Sequence, residues 1–227
     1  MKSIFIITVM LLYKNSNNFE ICIDEAGRGC MAGPVYAAAV IWPNHSGVDS
    51  SMIKDSKKIS AKKREIVAAY IEKTAVAYGI GYASAEEIDK FNILEATYMA
   101  MHRAVSQIEN ERDLSKLHTL LVDGKWFKPY WLKSGNVLEH TCIVKGDSTY
   151  TGIAAASILA KVNHDRHIKR LCREYPQYTL YNWEKNMCYG TKSHMQAIKE
   201  NGISHLHRKT FGICAHSPYI KTLRVDL

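Results

Sequence analysis

The feature that most restricts the fold of this chain is a short apolar run that ends at an acidic residue. This pattern occurs three times. In the first case, residues 19–24 alternate between apolar and polar side chains with the period of a β-strand. Because ligand-binding groups gather at the carboxyl ends of strands in open α/β sheets, we expect these acids to converge on one site. The three places are Ile23 before Asp24-Glu25, Val122 before Asp123, and Val144 before Lys145-Gly146-Asp147.

Further strand and helix patterns alternate along the chain. The continuous apolar run 35–41 suits a fully buried strand, and Ser60 is placed to cap the start of a helix. The mixed order of the elements predicts the α/β class, with a mixed five-stranded sheet flanked by helices. The strand candidates are 19–24, 35–41, 76–83, 117–122 and 137–144, and the helix candidates are 60–70, 93–108 and 153–172.

The 227 residues contain no internal repeat and no evident linker, which favours one domain. We expect a core over 19–175, followed by a helical C-terminal extension of the same domain over 176–227. Residues 1–18 form an N-terminal extension of unknown role, in which the apolar run 4–12 is either an extra strand or loosely held segment, or a targeting segment. This run is too short to span a bilayer.

The charge and the cysteines restrict the partners and the compartment. Lys and Arg number 30 against 22 Asp and Glu, and the net charge of +8 favours a polyanionic partner such as nucleic acid over an acidic protein surface. We expect no membrane partner. The six cysteines are scattered without a C-x-x-C pair, which predicts reduced thiols and an intracellular, cytoplasmic protein, or a nuclear one in a eukaryotic or viral source. We expect a monomer.

The four acids at the strand ends are Asp24, Glu25, Asp123 and Asp147. A group of carboxylates without nearby His or Cys suits a hard cation, Mg²⁺ or Mn²⁺. A pair of such ions about 4 Å apart can activate water and stabilise the leaving oxygen of a phosphodiester. The four acids alone therefore indicate a metal-dependent phosphoesterase. The alternative is that these acids are ordinary turn residues and N-caps.

Several longer motifs make the chain resemble type 2 ribonuclease H and, within it, ribonuclease HII. They occur in the family's order, and the G-R-G after the first acids favours the HII type over the HIII type. The motifs are D-E-A-G-R-G at 24–29, D-S-K-K-I-S at 55–60, N-I-L-E-A-T at 92–97, V-D-G at 122–124, K-G-D at 145–147, A-A-A-S-I-L-A-K-V at 154–162, Y-G-T at 189–191 and H-R-K-T-F at 207–211.

The resemblance implies a ribonuclease H-like fold and an endoribonuclease that uses two divalent ions, Mg²⁺ or Mn²⁺. The four acids would be both catalytic residues and metal ligands. Cleavage would fall on the 5′ side of a ribonucleotide and leave 3′-hydroxyl and 5′-phosphate ends. The substrates would be RNA/DNA hybrids and duplex DNA with embedded ribonucleotides.

The resemblance also implies roles in substrate binding. Gly27, Arg28 and Gly29 would contact the 2′-hydroxyl, which distinguishes RNA from DNA, although Arg28 also suits a surface phosphate contact. Tyr189 would stack on the neighbouring deoxyribose, or else be a partly buried turn aromatic. Lys57, in a loop before a helix, either meets a phosphate or is solvated. Asp165 is better explained by structural pairing with Lys161 than by metal binding.

Some segments keep open alternatives. The basic stretch 192–227 suits a duplex backbone or a solvated face, and the aromatic segment 126–131 either packs locally or stacks on nucleic acid. Two other functions compete with the leading one. They are a catalytically silent nucleic-acid-binding module and a related nuclease, such as a DNA strand-transfer enzyme, that would cut an all-DNA duplex equally.

Overall fold

A five-stranded sheet forms the centre of the protein, in a computed structural model that describes residues 10–11, 14, 20–43, 48–54, 56–114 and 119–220. Its strands are β1 (Glu20–Ala26), β2 (Val35–Ile41), β3 (Ala77–Ala83), β4 (Thr119–Asp123) and β7 (His140–Ile143). Two short strands, β5 (Tyr130–Trp131) and β6 (Val137–Leu138), pair separately. The sheet order is β3-β2-β1-β4-β7. β1 is antiparallel to β2 but parallel to β4, with Ile23 opposite Val122, so the acids that follow these two residues reach the same edge.

Helices cover both faces of the sheet. One face packs on α2 (Ala85–Glu111), and the other packs on α1 (Ala61–Thr74) and α3 (Thr151–Glu174). Gly79 and Gly81 allow α2 to lie close to β3, because a Cβ atom at either position would meet a backbone carbonyl of the helix. No described helix is long and apolar enough to cross a membrane.

The prediction of a mixed five-stranded sheet flanked by helices is confirmed. The prediction of one strand over 137–144 is wrong, because the chain changes partners at Glu139: β6 pairs with β5, and β7 pairs with β4. The helix predicted from residue 93 is the second and longer part of α2, and a shorter part precedes it, beginning at a capping box formed by Ser84 and Glu87. Asn92 separates the two parts with a φ of 67°, and its side chain caps the second part by accepting hydrogen bonds from the amides of Leu94 and Glu95.

The C-terminal residues pack as short helical segments around a buried cluster that includes Tyr181 and Trp183. They comprise the 3-10 turns Pro176–Tyr181 and Gly212–His216 and the helices α4 (Trp183–Asn186) and α5 (Lys192–Asn201). At the other end, Leu11 exchanges backbone hydrogen bonds of 2.8 Å with Thr149 and Thr151. The rest of the apolar run 4–12, apart from residue 10, lies outside the described residues, as do Asp55, the side chain of Lys58 and residues 221–227.

Candidate active site at the carboxyl edge of the sheet

Asp24 and Glu25 follow each other on β1, so their side chains leave opposite faces of the sheet. Ile23 belongs to the core beneath α2. Cys22 faces the other side, where a Cβ atom on Gly152 of α3 would clash with its sulfur. The same alternation turns Asp24 toward α3 and Glu25 toward α2. The two carboxylates therefore lie on either side of the sheet edge.

Each of these two acids is held by short-range contacts. Asp24 is buried and forms a hydrogen bond with the hydroxyl of Ser157 on α3. Its Oδ1 accepts a 2.7 Å hydrogen bond from the backbone amide of Glu25. Glu25 is partly exposed, and its Oε1 lies 3.6 Å from the Arg28 guanidinium. Asp24 is therefore fixed against the helix, whereas Glu25 reaches outward to a cationic side chain.

Asp123, at the end of β4, is linked to the turn that carries Asp147. Asp123 Oδ1 accepts a 2.6 Å hydrogen bond from the backbone amide of Gly146. Gly146 begins the 3-10 turn Gly146–Ser148, which follows Lys145 in the left-handed conformation. Asp147 is buried in this turn, and its Oδ2 lies 3.4 Å from Lys57 Nζ. The backbone of the turn thus brings the third and fourth acids together.

Burial and mutual repulsion raise the pKa values of three of these acids. Burial raises the pKa of Asp24 well above its usual value, and the charges of Glu25 and Asp123 raise it further. Burial also raises the pKa of Glu25, against the opposing effect of Arg28. The pKa of Asp123 is raised by burial and then by Asp147. A cation among these carboxylates would relieve the repulsion that they exert on one another.

The chemistry of these donors fits a hard divalent ion, because all of them are carboxylate oxygens. Within the described part of the chain, no three His, Cys, Asp or Glu side chains are grouped so that they could hold an ion by themselves. Mg²⁺ typically keeps several waters and binds through one or two carboxylates together with substrate phosphates. The site therefore suits ions that complete their coordination with water and phosphate.

The loop after β1 is fixed from below by the guanidinium of Arg208, which is 0% exposed. Its Nη2 donates to the Gly27 carbonyl at 2.7 Å, its Nη1 to the Arg28 carbonyl at 2.8 Å, and its Nε to the Gly33 carbonyl at 3.0 Å. Because the C=O and N–H of a trans peptide point in opposite directions, the amides of Arg28 and Gly29 are turned away from Arg208. Gly27 has a φ of +82°, and a Cβ atom there would collide with the His164 ring. Glycine is therefore required at this position.

Tyr189 is held in the same cleft by its ring and by its backbone. Lys161 Nζ lies 5.1 Å from the centre of its ring. Its carbonyl oxygen lies 3.0 Å from His194 Nδ1, which must therefore carry the proton and donate. His194 Nε2 then accepts from His207 Nε2 at 3.1 Å, and His207 Nδ1 accepts from the Ser204 amide at 2.9 Å. A chain of buried hydrogen bonds thus fixes the backbone of Tyr189.

Most of the predicted site residues line one cleft of about 280 Å³. Asp147 does not line it, but it contacts Lys57, which does. Lys57 itself is 80% exposed on its side chain, so it combines a solvated position with an ion pair. The predicted residues in the lining are Asp24, Glu25, Gly27, Arg28, Gly29, Lys57, Asp123 and Tyr189.

Sequence reasoning did not single out Arg64 and Ser157, which line the cleft, or Arg208 beneath it. Lys161 also lines the cleft, although it entered the sequence interpretation only as a partner of Asp165. That pairing is confirmed, since Asp165 lies 2.7 Å from Lys161 and 3.3 Å from Arg64. The position of Arg208 within the H-R-K-T-F motif was the available signal, but the motif alone does not specify what its guanidinium contacts.

Comparisons with known proteins identify the family that the chain resembles and the proteins that share its fold. The family model described as Ribonuclease HII matches residues 21–214. A protein of Bacteroides thetaiotaomicron named Ribonuclease HII is 44% identical over 205 residues, which cover 90% of this chain and 95% of that protein. A chain in the PCNA:RNase HII complex from Archaeoglobus fulgidus is 25% identical with a TM-score of 0.65, covering 86% of this chain and 95% of the other. Bst-RNase HIII in complex with Mn²⁺ shares the fold, with 18% identity, a TM-score of 0.65 and coverage of 87% and 68%.

Proposed function

The chain belongs to the ribonuclease HII family, whose members are metal-dependent endoribonucleases of the ribonuclease H type, and we propose that it hydrolyses the phosphodiester on the 5′ side of a ribonucleotide. Its substrates are RNA/DNA hybrids and duplex DNA with embedded ribonucleotides, and its products carry 3′-hydroxyl and 5′-phosphate ends. The observation that carries the proposal is one cleft that combines three of the strand-end carboxylates with the Gly27-Arg28-Gly29 loop and Tyr189.

Asp24, Glu25, Asp123 and Asp147 are the proposed catalytic residues and the ligands of two divalent ions, Mg²⁺ or Mn²⁺. Such ions would activate the attacking water and stabilise the leaving oxygen. The protein's own part is to hold the four acids on both sides of the sheet edge. Ser157 fixes Asp24, and the Gly146 amide fixes Asp123, so neither acid has to be ordered when substrate binds.

The Gly27-Arg28-Gly29 loop is proposed to contact the 2′-hydroxyl and so to distinguish a ribonucleotide from a deoxyribonucleotide. Arg208 holds the loop's carbonyls inward, which leaves the Arg28 and Gly29 amides available to a sugar in the cleft. The Tyr189 ring is the proposed platform for the adjoining deoxyribose, where an added hydroxyl would crowd it. Lys57, at the rim beside Asp147, is the proposed contact for a phosphate.

The proposed division of the chain gives catalysis to 19–175 and part of substrate binding to 176–227, with no role assigned to 1–18. Two contacts support this division: Tyr189 lines the catalytic cleft, and Arg208 supports the loop after β1. The partner is nucleic acid, and we place the protein in the cytoplasm as a monomer. The basic side chains of Arg28, Lys57 and Arg64 in the cleft lining suit a phosphate backbone.

The direct test is nicking of an end-labelled DNA duplex that contains one ribonucleotide, with Mg²⁺ or Mn²⁺ and with EDTA. We expect one cut on the 5′ side of the ribonucleotide, no cut in EDTA and no cut in an all-DNA duplex. Asp123→Asn should abolish cutting while duplex binding persists, because it removes a proposed ligand and leaves the basic side chains. Asp49→Asn, at an exposed acid that contacts Ser51, is the matched control and should cut normally. Near-normal turnover in Asp123→Asn would show that the ligand assignment is wrong.

A further inference from the structure

The α2 side of the sheet carries a further cavity next to the catalytic cleft. A second cavity of about 380 Å³ shares Glu25, Arg28 and Asp123 with the first. The first cavity is walled by α1 and α3 and carries Tyr189, whereas the second is walled by α2. The two cavities therefore adjoin each other at these three residues, one on each face of the sheet, and together they are called the groove.

The lining of the second cavity includes Lys125 and Trp126, which follow Asp123 after one glycine. The indole of Trp126 is 76% exposed, the largest exposed fraction among the bulky apolar side chains that the structure describes. The next residue, Phe127, is buried, and its ring lies 6.2 Å from the Tyr98 ring and 5.3 Å from the His102 ring. Phe127 thus anchors the loop and leaves the indole facing the groove.

A single exposed apolar side chain is common on protein surfaces, but the Trp126 indole lines a cavity together with basic side chains, and this combination indicates a contact surface. Aromatic rings next to basic side chains are the usual platform for nucleotides, because ring stacking tolerates any sequence and the cations attract phosphate. Arg28 and Lys125 supply the cations here. Both the chemistry and the continuity with the catalytic cleft favour nucleic acid as the occupant.

We infer that Trp126 and Lys125 form a second binding site for the substrate duplex, on the opposite side of the carboxylates from Tyr189. The indole packs on the sugar of one strand, and the ammonium group of Lys125 lies near a phosphate. This inference rests on the proposed function, since it assumes that the duplex occupies the cleft. It adds a contact on the α2 face, which the acids, the glycine loop and Tyr189 do not provide.

Trp131 offers a matched control within the same segment. It is 66% exposed, but it lines a different cavity with Glu95, His102 and Val137, and none of the four strand-end acids lines that cavity. Two tryptophans of similar exposure thus differ in whether they line the cavity next to the strand-end acids. Their substitution separates a specific contact from a general loss of surface hydrophobicity.

The first measurement is the dissociation constant for a duplex with one ribonucleotide, by fluorescence anisotropy in the Asp123→Asn background. We expect Trp126→Ala to raise it about ten-fold, Trp126→Phe to stay near the parent, and Trp131→Ala to have no effect. In active protein, the same change should appear in KM more than in kcat. Equal binding by Trp126→Ala and its parent, or an equal loss in Trp131→Ala, would overturn the assignment.

The second measurement uses duplexes shortened on one side of the ribonucleotide. The effect of Trp126→Ala should disappear when one side is removed, and the effect of Tyr189→Ala should disappear when the other side is removed. Dependence of both effects on the same side would refute the placement across the carboxylates. Absence of nicking by the unmodified protein would count against the proposed function only, because the binding measurements test Trp126 without cleavage.

Discussion

Replacement of Arg208 by lysine tests whether the buried guanidinium fixes the loop after β1. Arg208 donates three hydrogen bonds to the carbonyls of Gly27, Arg28 and Gly33. A lysine can reach one of them, and each lost hydrogen bond from a charged donor costs about 1.5–3 kcal/mol. Two lost bonds therefore give an upper value of about 3–6 kcal/mol, of which water entering the site would recover part, so we expect a loss of about 2–4 kcal/mol.

Urea unfolding measures this loss, and binding measures its functional effect. In the Asp123→Asn background, the parent should bind a duplex with one ribonucleotide more tightly than an all-DNA duplex. Arg208→Lys should bring this ratio of dissociation constants toward one, because the loop amides are no longer held in place. The control is Arg112→Lys, since Arg112 is exposed and donates to the Val76 carbonyl at 2.6 Å. A stability loss in Arg208→Lys with an unchanged ratio would refute the positioning role.

Two further outcomes are expected. Tyr189→Ala should impair cutting at a single ribonucleotide more than cutting within a long RNA run, because only the former has deoxyribose at the ring; equal losses in a nicking assay would contradict this. Burial lowers the pKa of His207 from 6.5 to about 3, so the unfolded chain binds a proton across this range that the folded protein does not. Stability from this residue is therefore complete above pH 6.5 and falls with decreasing pH by up to about 1.4 kcal/mol per unit. Urea unfolding at several pH values should show a shallower slope for His207→Gln, and an identical slope would exclude His207 as the cause.

The sequence was sufficient to predict features that depend on neighbouring residues. Alternation at 19–24 indicated β1, and the acids that follow Ile23 and Val122 meet because those two residues are opposite each other in parallel strands. The separate roles of β6 and β7 were not predictable, since an apolar run does not specify the pairing partner of each part. The change of partner at Glu139 depends on β5, which has no distinctive pattern.

The contacts beneath the site also could not be predicted from the sequence. Arg208 and Gly27 are 181 residues apart, and nothing local to either position indicates that they meet. The relay from His207 to Tyr189 similarly depends on how the C-terminal segments pack. An arginine in a basic stretch is ordinarily expected at the surface, so its burial under three carbonyls follows only from the tertiary structure.

The opposite orientation of Asp24 and Glu25 has a consequence for folding fidelity. A shift of β1 by one residue relative to its neighbours would exchange the two faces of the strand. Glu25 would then enter the tight contact with α3, and the residues that fit beneath α2 would face the wrong core. Packing on both faces of the sheet therefore disfavours this register shift, and a fully folded molecule has Asp24 on the α3 side and Glu25 on the α2 side. The four acids can therefore take their places at the edge of the sheet only when β1 has the correct register, and this is decided during folding, before substrate binds.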